Sequence, residues 1–316
     1  MPDRAFDLSQ SRVCVIMNLG SGRKDEGGFS DAVTRALRPR CAEFDLRKTG
    51  RGQDLVKMAG RAVDDGFDVI VAAGGDGTQS AIAGALAGTD AVMGVLPGGT
   101  FNYFARDLGV GEELDDALET IANARIASID IGCVENLVFL NNVSLGAYPY
   151  ILKTRETIYK RWGRSRLAAY WSVLVALPRL RRPMTLTACV DGKTQQFTTA
   201  LVFVARSAYQ LDTFGLDGAD AIRQGDFAVL IAKAKQPLPL IGSALRLAFG
   251  KSAKDSDFDL LTTSELTIST PRKRQLIAHD GEKTVLASPL KLKVWHGGLR
   301  VLLPVDGTDK TQDGAA

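Results

Sequence analysis

The chain has 316 residues, of which 45% are hydrophobic and 24% charged, and its formal net charge at pH 7 is +3. This length suggests roughly two domains, and the small net charge gives no argument for binding nucleic acid. The polar N-terminus lacks the apolar core of a signal peptide, and no segment approaches the ~20 apolar residues of a membrane span. The four scattered cysteines form no CxxC pair, which favours buried free thiols and a reducing cytosol. They are Cys14, Cys41, Cys133 and Cys189.

Strand-like and helix-like segments alternate between residues 12 and 110. Short apolar runs with β-branched residues predict strands, and apolar residues at helical spacing predict helices. Their alternation predicts an open α/β sheet. The predicted strands are Arg12–Met17, Phe67–Ala73 and Ala91–Leu96, and the predicted helices are Phe29–Leu37, Asp54–Asp65, Thr78–Ala87 and a segment that ends at about Leu108.

The pattern changes after about residue 130 to short strand-like segments, which predicts a second, mostly β domain. The predicted boundaries are 1–130 for the first domain, to which residues of about 299–305 return, 131–298 for the second domain, and 306–316 for a disordered tail. The predicted strands are Val138–Leu145, Met184–Val190, Gln196–Ala205, Asp226–Ala232, Glu265–Ser269 and Leu290–Trp295, with helix-like insertions near 150–180 and 237–250.

A glycine-rich turn, Gly74–Thr78, follows a predicted strand and opens a helix. Backbone N–H groups at a helix start attract anions, and glycine lets the backbone approach a phosphate closely. Asp76 within this turn predicts a Mg²⁺ ion, because a carboxylate and phosphate oxygens can share one hard cation. The alternative is a plain strand–helix turn capped by the aspartate.

Two further turns strengthen this hypothesis. The segment 97–100 follows the next strand, with Thr100 and Asn102 at the start of a helix. The carboxyl ends of parallel strands share one edge of a sheet, so both turns can meet one ligand. The third turn, 18–22, precedes Arg23 and Lys24, which can clamp phosphate oxygens or lie in solvent. The two nearby phenylalanines are expected to pack in the core; they are Phe101 and Phe104.

The segment His279–Glu282 supplies candidates for a proton acceptor. A kinase that acts on an alcohol needs a carboxylate to accept the hydroxyl proton. Glu282 is the first choice and Asp280 the second. An ordinary β-turn at the Asp-Gly pair is the alternative interpretation.

Taken together, these motifs resemble the diacylglycerol kinase catalytic family over roughly residues 12–305. The segment 96–109, LPGGTFNYFARDLG, fits the family pattern LPxGTxNxFAR followed by Leu-Gly, which separates lipid kinases from the related NAD kinases. The segment Leu140–Gly146 also falls where the family would have it. The resemblance implies a nucleotide-binding α/β domain of the phosphofructokinase and NAD kinase type, followed by a β-sandwich. It implies ATP- and Mg²⁺-dependent phosphorylation of a lipid hydroxyl, as in diacylglycerol.

The resemblance also implies roles for individual residues. It implies that Glu282 accepts the hydroxyl proton and that Asp76 acts where Mg²⁺ and the nucleotide phosphates bind. The nucleotide contacts that it implies are Asn18, Ser21, Gly22, Thr49, Gly74, Gly75, Asp76, Gly77, Thr78, Gln79, Ser80, Gly98, Thr100 and Asn102.

Three departures from the family pattern stand out. After the glycine-rich turn the family usually has one residue and then Asn-Glu, where this chain has Gln79-Ser80-Ala81. In the first turn the family often has Asn-Pro, where this chain has Asn18-Leu19. Gln224 replaces the acid of a cation site that several bacterial members carry in the second domain, where Asp220 and Asp226 are the possible substitutes.

The stretch 151–182 carries nine basic residues against one acid, with four tyrosines and tryptophans interleaved. Such a stretch predicts docking on an anionic membrane, and hence a cytoplasmic protein peripheral to the inner face of the membrane. A solvated basic face is the alternative. A lipid substrate is the expected partner, a homodimer is possible, and no nucleic acid is expected. Two other functions stay open: a soluble-metabolite kinase of the NAD kinase type, and a catalytically silent lipid- or nucleotide-binding protein.

Overall fold

The computed structural model describes residues 6–19, 28–50, 54–146, 149, 183–190, 192–233 and 258–305. Two compact units make up the chain: Met1–Asp130 with His296–Ala316, and Ile131–Trp295. The predicted insertions near 150–180 and 237–250 and the tail at 306–316 lie outside the described residues.

The first unit is built around a parallel sheet. Its elements are β1 (Arg12–Asn18), α1 (Gly28–Leu37), β2 (Glu43–Thr49), α2 (Leu55–Asp64), β3 (Val69–Gly74), α3 (Asp76–Leu86), β4 (Val92–Pro97), α4 (Tyr103–Asp107), α5 (Leu114–Ala122), the start of β5 (Arg125–Val134) and the end of β16 (Leu290–Leu303). The strand order of the sheet is β2-β1-β3-β4, extended by the end of β16. Strands β3 and β4 are buried along their whole length, as expected for parallel strands covered on both faces.

The sequence patterns missed β2, α5 and β5. Strand β2 forms one edge of the sheet, and its residues are mostly partly buried or exposed. Because an edge strand of this kind carries polar residues, it does not form the apolar run by which strands were predicted. The predicted strand at Phe67 begins two residues later, because the Phe67 N–H donates to the Ala62 carbonyl oxygen (3.1 Å) in the turn after α2.

The second unit contains antiparallel sheets. The remaining elements are β6 (Leu137–Phe139), β7 (Asn142–Gly146), β8 (Met184–Val190), β9 (Lys193–Thr199), β10 (Leu201–Ala205), α6 (Ala208–Phe214), α7 (Ala219–Arg223), β11 (Phe227–Ala232), β12 (Phe258–Thr263), β13 (Glu265–Ser269), β14 (Arg274–His279) and β15 (Glu282–Ala287). One sheet has the order β12-β11-β10-β7-β14-β15, and another joins β16, β13, β8 and β9. Side chains from both form one core, such as Val143 and Val204 from the first and Leu186 and Leu292 from the second. The predicted α/β domain followed by a β-sandwich is therefore confirmed.

Two predicted strands of this unit are wrong as single elements. The segment 196–205 is divided at Ala200, because β9 pairs with β8 whereas β10 pairs with β7 in the other sheet. The segment 138–145 is divided into β6 and β7, because the N–H groups of Leu140 and Asn141 donate to the Asp280 carboxylate. In both places the sequence pattern is that of one continuous strand. The strand is divided because its residues pair or hydrogen-bond with partners that are distant in sequence.

The four cysteines are free thiols, but the prediction that all of them are buried is wrong for two. Cys14 and Cys133 are buried, whereas Cys41 and Cys189 are partly exposed. Among the described residues, no helix has both the length and the apolar character of a transmembrane span.

Candidate active site

The carboxyl ends of four parallel strands bring several predicted site residues together in the first unit. Asn18 at the end of β1 pairs with Thr49 at the end of β2, and Gly74 at the end of β3 pairs with Pro97 at the end of β4. In an open α/β sheet, ligands bind outside this edge. The predicted convergence of the turns at one edge is therefore present.

The two glycine turns that follow β3 and β4 pack directly against each other. The Gly98 N–H donates to the Gly74 carbonyl oxygen (3.0 Å). A Cβ on Gly98 would lie 3.1 Å from the Gly74 Cα, and a Cβ on Gly99 would lie 2.7 Å from the Gly75 Cα. These glycines are therefore required by the close approach of two backbones, in addition to any approach of a phosphate.

Asp76 joins the two turns through its side chain. It lies in the first turn of α3, and its Oδ1 accepts a hydrogen bond from the Phe104 N–H in α4 (3.1 Å). A carboxylate that accepts a backbone N–H at a helix start stabilises that helix. Asp76 therefore fixes α3 and α4 relative to each other as well as placing a negative charge at the edge of the sheet.

The ends of β1 and β2 are tied to this arrangement by two hydrogen bonds. Asn18 Nδ2 donates to Thr78 Oγ1 (3.0 Å), and the Leu19 N–H donates to the Thr49 carbonyl oxygen (2.8 Å). Leu19 replaces the proline that the family often has, and a proline has no N–H for the second bond. The departure at this position thus adds a contact between the strand ends.

Asn102 and Gln79, both predicted to contact the nucleotide, have side chains that bind the protein's own backbone. Asn102 has a left-handed conformation (φ 51°), and its Oδ1 accepts the Gly99 N–H (2.8 Å). Gln79 is fully buried, and its Nε2 donates to the Gly74 carbonyl oxygen (2.9 Å). Both side chains therefore stabilise the glycine turns. Any contact that they make with a ligand stays a prediction.

The other predicted nucleotide contacts differ in exposure. Ser80 is buried, Gly77 is partly exposed and Thr100 is exposed. Ser21 and Gly22, like the neighbouring Arg23 and Lys24, lie outside the described residues.

The two phenylalanines after the second turn have different environments. Phe104 is 4% exposed, as predicted for a core residue. Phe101 is 54% exposed, and its ring stacks on Tyr103 with the centroids 5.4 Å apart. The prediction that Phe101 packs in the core is wrong, because the left-handed turn at Asn102 places Phe101 outside the helix that buries Phe104.

Asp76 fits a role in binding Mg²⁺ together with phosphate. Mg²⁺ usually keeps several waters and takes only one or two protein carboxylates when it binds a nucleotide. In the described parts of the chain, no three acidic, histidine or cysteine side chains form a cluster that could hold a metal by itself. A single carboxylate at this edge of the sheet therefore fits a Mg²⁺ ion whose other ligands would be phosphate oxygens and water.

In the second unit, the segment His279–Glu282 forms a tight hairpin. His279 pairs with Glu282 across the turn, and both central residues have positive φ, 44° at Asp280 and 85° at Gly281. This is the geometry of a type I′ turn. The β-turn alternative is therefore correct for the Asp-Gly pair. Glu282 is exposed at the start of β15, so it stays a candidate proton acceptor.

Sequence reasoning missed the role of the Asp280 side chain. Asp280 is 6% exposed, and its carboxylate accepts three backbone N–H groups, those of Leu140 (2.7 Å), Asn141 (2.8 Å) and Asn142 (3.0 Å). The partners lie about 140 residues away in the chain, so no local pattern could reveal the contact. Its two oxygens are engaged with backbone, which argues against the second-choice assignment of Asp280 as a proton acceptor.

Next to Gln224, which replaces the acid of the family's second-domain cation site, Arg223 pairs with two aspartates. Arg223 lies between Asp212 (2.5 Å) and Asp220 (3.0 Å), so Asp220 is paired with a guanidinium in this structure. Asp226 directly precedes β11, which begins at Phe227. The described residues give no metal cluster in this region.

Comparison with known proteins agrees with this geometry. The diacylglycerol kinase catalytic domain matches residues 12–134. The chain is 29% identical over 276 residues to a diacylglycerol kinase of Bacillus subtilis (strain 168), covering 86% of this chain and 89% of the relative. It is 31% identical over 243 residues to a diacylglycerol kinase of Staphylococcus aureus (strain MRSA252), covering 76% of each chain. The chain belongs to the diacylglycerol kinase catalytic family.

Membership of the diacylglycerol kinase catalytic family confirms the predicted resemblance and makes the protein a phosphotransferase of the lipid kinase type. The fold agrees as well: a crystal structure of a diacylglycerol kinase from Bacillus anthracis (strain Sterne) has a TM-score of 0.67 at 19% identity, covering 93% of this chain and 97% of that one. The matched domain, 12–134, contains the three turns at the strand ends, whereas Glu282 lies beyond it.

Proposed function

We propose that this protein transfers the γ-phosphoryl group of ATP, with Mg²⁺, to the hydroxyl group of a membrane lipid alcohol such as diacylglycerol. The observation that carries the proposal is the pair of interlocked glycine turns at the carboxyl edge of the parallel sheet, joined by Asp76. Family membership supports the kinase chemistry. The relatives named diacylglycerol kinases suggest the acceptor class.

The reaction forms one P–O bond and breaks another. The acceptor hydroxyl oxygen attacks the γ-phosphorus, the bond from that phosphorus to the β,γ-bridging oxygen breaks, and ADP leaves. The hydroxyl proton passes to Glu282, whose exposed carboxylate is able to receive it. The backbone N–H groups of the turns and the start of α3 attract the phosphates, and Asp76 would help to hold Mg²⁺, which would neutralise phosphate charge when bound.

A lipid acceptor requires the enzyme to work at a membrane surface. The basic and aromatic stretch at 151–182, which lies outside the described residues, supports docking on an anionic leaflet. Binding of this kind would place the enzyme at the inner face of the membrane as a peripheral protein.

The test is a transfer assay with radiolabelled ATP against a panel of lipid alcohols in mixed micelles, with NAD as a soluble acceptor. We expect label in a lipid alcohol, and we expect loss of transfer when EDTA removes Mg²⁺. Labelling of NAD alone would show a soluble-metabolite kinase instead. Absence of transfer to every acceptor, with retained ATP binding, would show a catalytically silent protein.

A further inference from the structure

We propose that Asp280 is a positioning residue that holds the Glu282 hairpin in a fixed place for phosphoryl transfer. The proposal rests on the proposed function, because it takes Glu282 as the proton acceptor. It assigns to Asp280 a role different from proton transfer itself.

The first observation is that both the side chain and the backbone of Asp280 anchor the hairpin. The Asp280 carboxylate accepts the N–H groups of residues 140–142, and the Asp280 N–H donates to the Asn142 carbonyl oxygen (3.1 Å). Hydrogen bonds to an ionised carboxylate are roughly twice as strong as neutral ones. Four bonds at one residue therefore join the β14–β15 turn to residues 140–142, which end the β6–β7 connection and begin β7.

The second observation is that the anchor continues into a buried polar network. Asn142 Nδ2 donates to Gln210 Oε1 (2.9 Å), and the Gln210 N–H donates to Ser207 Oγ (3.2 Å) at the start of α6. The Ser207 N–H in turn donates to the Asn141 carbonyl oxygen (3.2 Å). All of these residues are less than a tenth exposed. Buried hydrogen bonds of this kind favour one arrangement of the elements that they join.

The third observation is the short path from the anchor to Glu282. Asp280 and Gly281 are the two central residues of the turn, and Glu282 follows at once, paired with His279. The Asp280 contacts therefore fix the backbone position of Glu282, which carries the exposed carboxylate. Misplacement of a reacting group by about 1 Å can cost on the order of 100-fold in rate.

Two variants test the inference, both compatible with a positive φ. Asp280→Gly keeps the turn, since a Gly-Gly pair also suits a type I′ turn, and it removes the carboxylate. Asp280→Asn tolerates the left-handed conformation and keeps one acceptor oxygen, but it places an amide N–H group against a backbone donor. We expect kcat to fall about 10- to 100-fold, with the KM for ATP unchanged, because the nucleotide site lies in the other unit.

The matched control is Glu135→Gly. Glu135 also has a positive φ (52°) in a turn of the second unit, and its carboxylate accepts one backbone N–H, that of Lys291 (2.7 Å). This variant loses one exposed carboxylate–backbone contact away from the hairpin, whereas Asp280→Gly loses three buried ones. We expect a lower melting temperature with kcat unchanged.

A double-variant cycle separates positioning from general loss of structure. If Asp280 acts through Glu282, then Asp280→Gly adds little further loss to a Glu282→Gln enzyme, because residues that act as a unit are not additive. A multiplicative loss in the double variant would overturn the inference, as would a fully active Asp280→Gly enzyme beside an inactive Glu282→Gln enzyme. If Asp280→Gly does not fold, Asp280→Asn decides by the same outcomes. A fully active Glu282→Gln enzyme would instead overturn the proposed role of Glu282, and this inference with it.

Discussion

Gly99 lies so close to Gly75 that a Cβ on Gly99 would stand 2.7 Å from the Gly75 Cα and 2.9 Å from Asn102 Oδ1. A backbone atom cannot move aside as the end of a flexible side chain can. Gly99→Ala should therefore destabilise the first unit by about 1–3 kcal/mol, as overpacking does, and weaken ATP binding. Urea unfolding and ATP titration measure both effects.

The control for this prediction is Gly60→Ala. Gly60 lies inside α2, and a Cβ there would meet nothing within 4 Å. Alanine in an exposed helix is about 1 kcal/mol more favourable than glycine, so this variant should be more stable than the parent. Equal stability of Gly99→Ala and the parent would contradict the close contact of the two turns.

Asp76 combines a structural hydrogen bond with a charge, and two variants separate them. Asp76→Asn keeps an oxygen to accept the Phe104 N–H but loses the charge, whereas Asp76→Ala loses both. We expect turnover to fall about 100-fold or more in each, as for the loss of an electrostatic group at a reacting centre. Only Asp76→Ala should also lose stability, by about 0.5–2 kcal/mol. Thermal melts and transfer assays give the comparison, and a fully active Asp76→Asn enzyme would contradict the proposed role of its charge.

Phe101 and Phe104 provide a test of the corrected assignment. Replacing buried Phe104 with Ala should cost about 3–5 kcal/mol, because it leaves a cavity under α4. Replacing exposed Phe101 with Ala should change the free energy of unfolding by less than about 1 kcal/mol. The same denaturation experiment serves both variants, and equal losses would show that Phe101 is buried in solution.

Burial of Cys14 predicts a change of stability at alkaline pH. Its pKa is raised from 9.0 to about 12, chiefly by burial. A raised pKa means that the folded state holds the proton more tightly than the unfolded state does. The stability from this group is therefore complete below about pH 9 and is lost as the pH rises towards 12. The free energy of unfolding of the parent should fall relative to that of Cys14→Ala over this interval, and a constant difference would contradict the prediction.

The basic stretch predicts binding to anionic vesicles. Alanine at Arg161, Arg164 and Arg166 should weaken binding about 100-fold, since each basic residue near an anionic surface contributes ~1 kcal/mol. Vesicle sedimentation at constant salt measures the change. The control replaces three exposed arginines of the first unit, Arg35, Arg40 and Arg61. Unchanged binding of the first variant would remove the argument for docking through this stretch.

Local sequence patterns were sufficient to predict most elements of the parallel sheet and the two glycine turns that follow β3 and β4, whereas most of the third predicted turn lies outside the described residues. Buried parallel strands are continuous apolar runs, and a glycine turn after such a run is a local signal for phosphate binding. Strand β2 was not predicted because it is an edge strand with polar residues. Strands β14 and β15 were not assigned, although the Asp-Gly turn that joins them was identified.

The sequence by itself determined the α/β character of the first domain, the mostly β character of the second and the glycine turns, because apolar periodicity and glycine spacing are properties of neighbouring residues. The β-sandwich was implied by the resemblance to the family. Only the tertiary structure decided that Gly75 and Gly99 support each other, and that the Asp280 carboxylate binds the backbone of residues 140–142. Both contacts join segments distant in the chain, and the energy of a buried carboxylate or a backbone contact depends on what folding brings beside it.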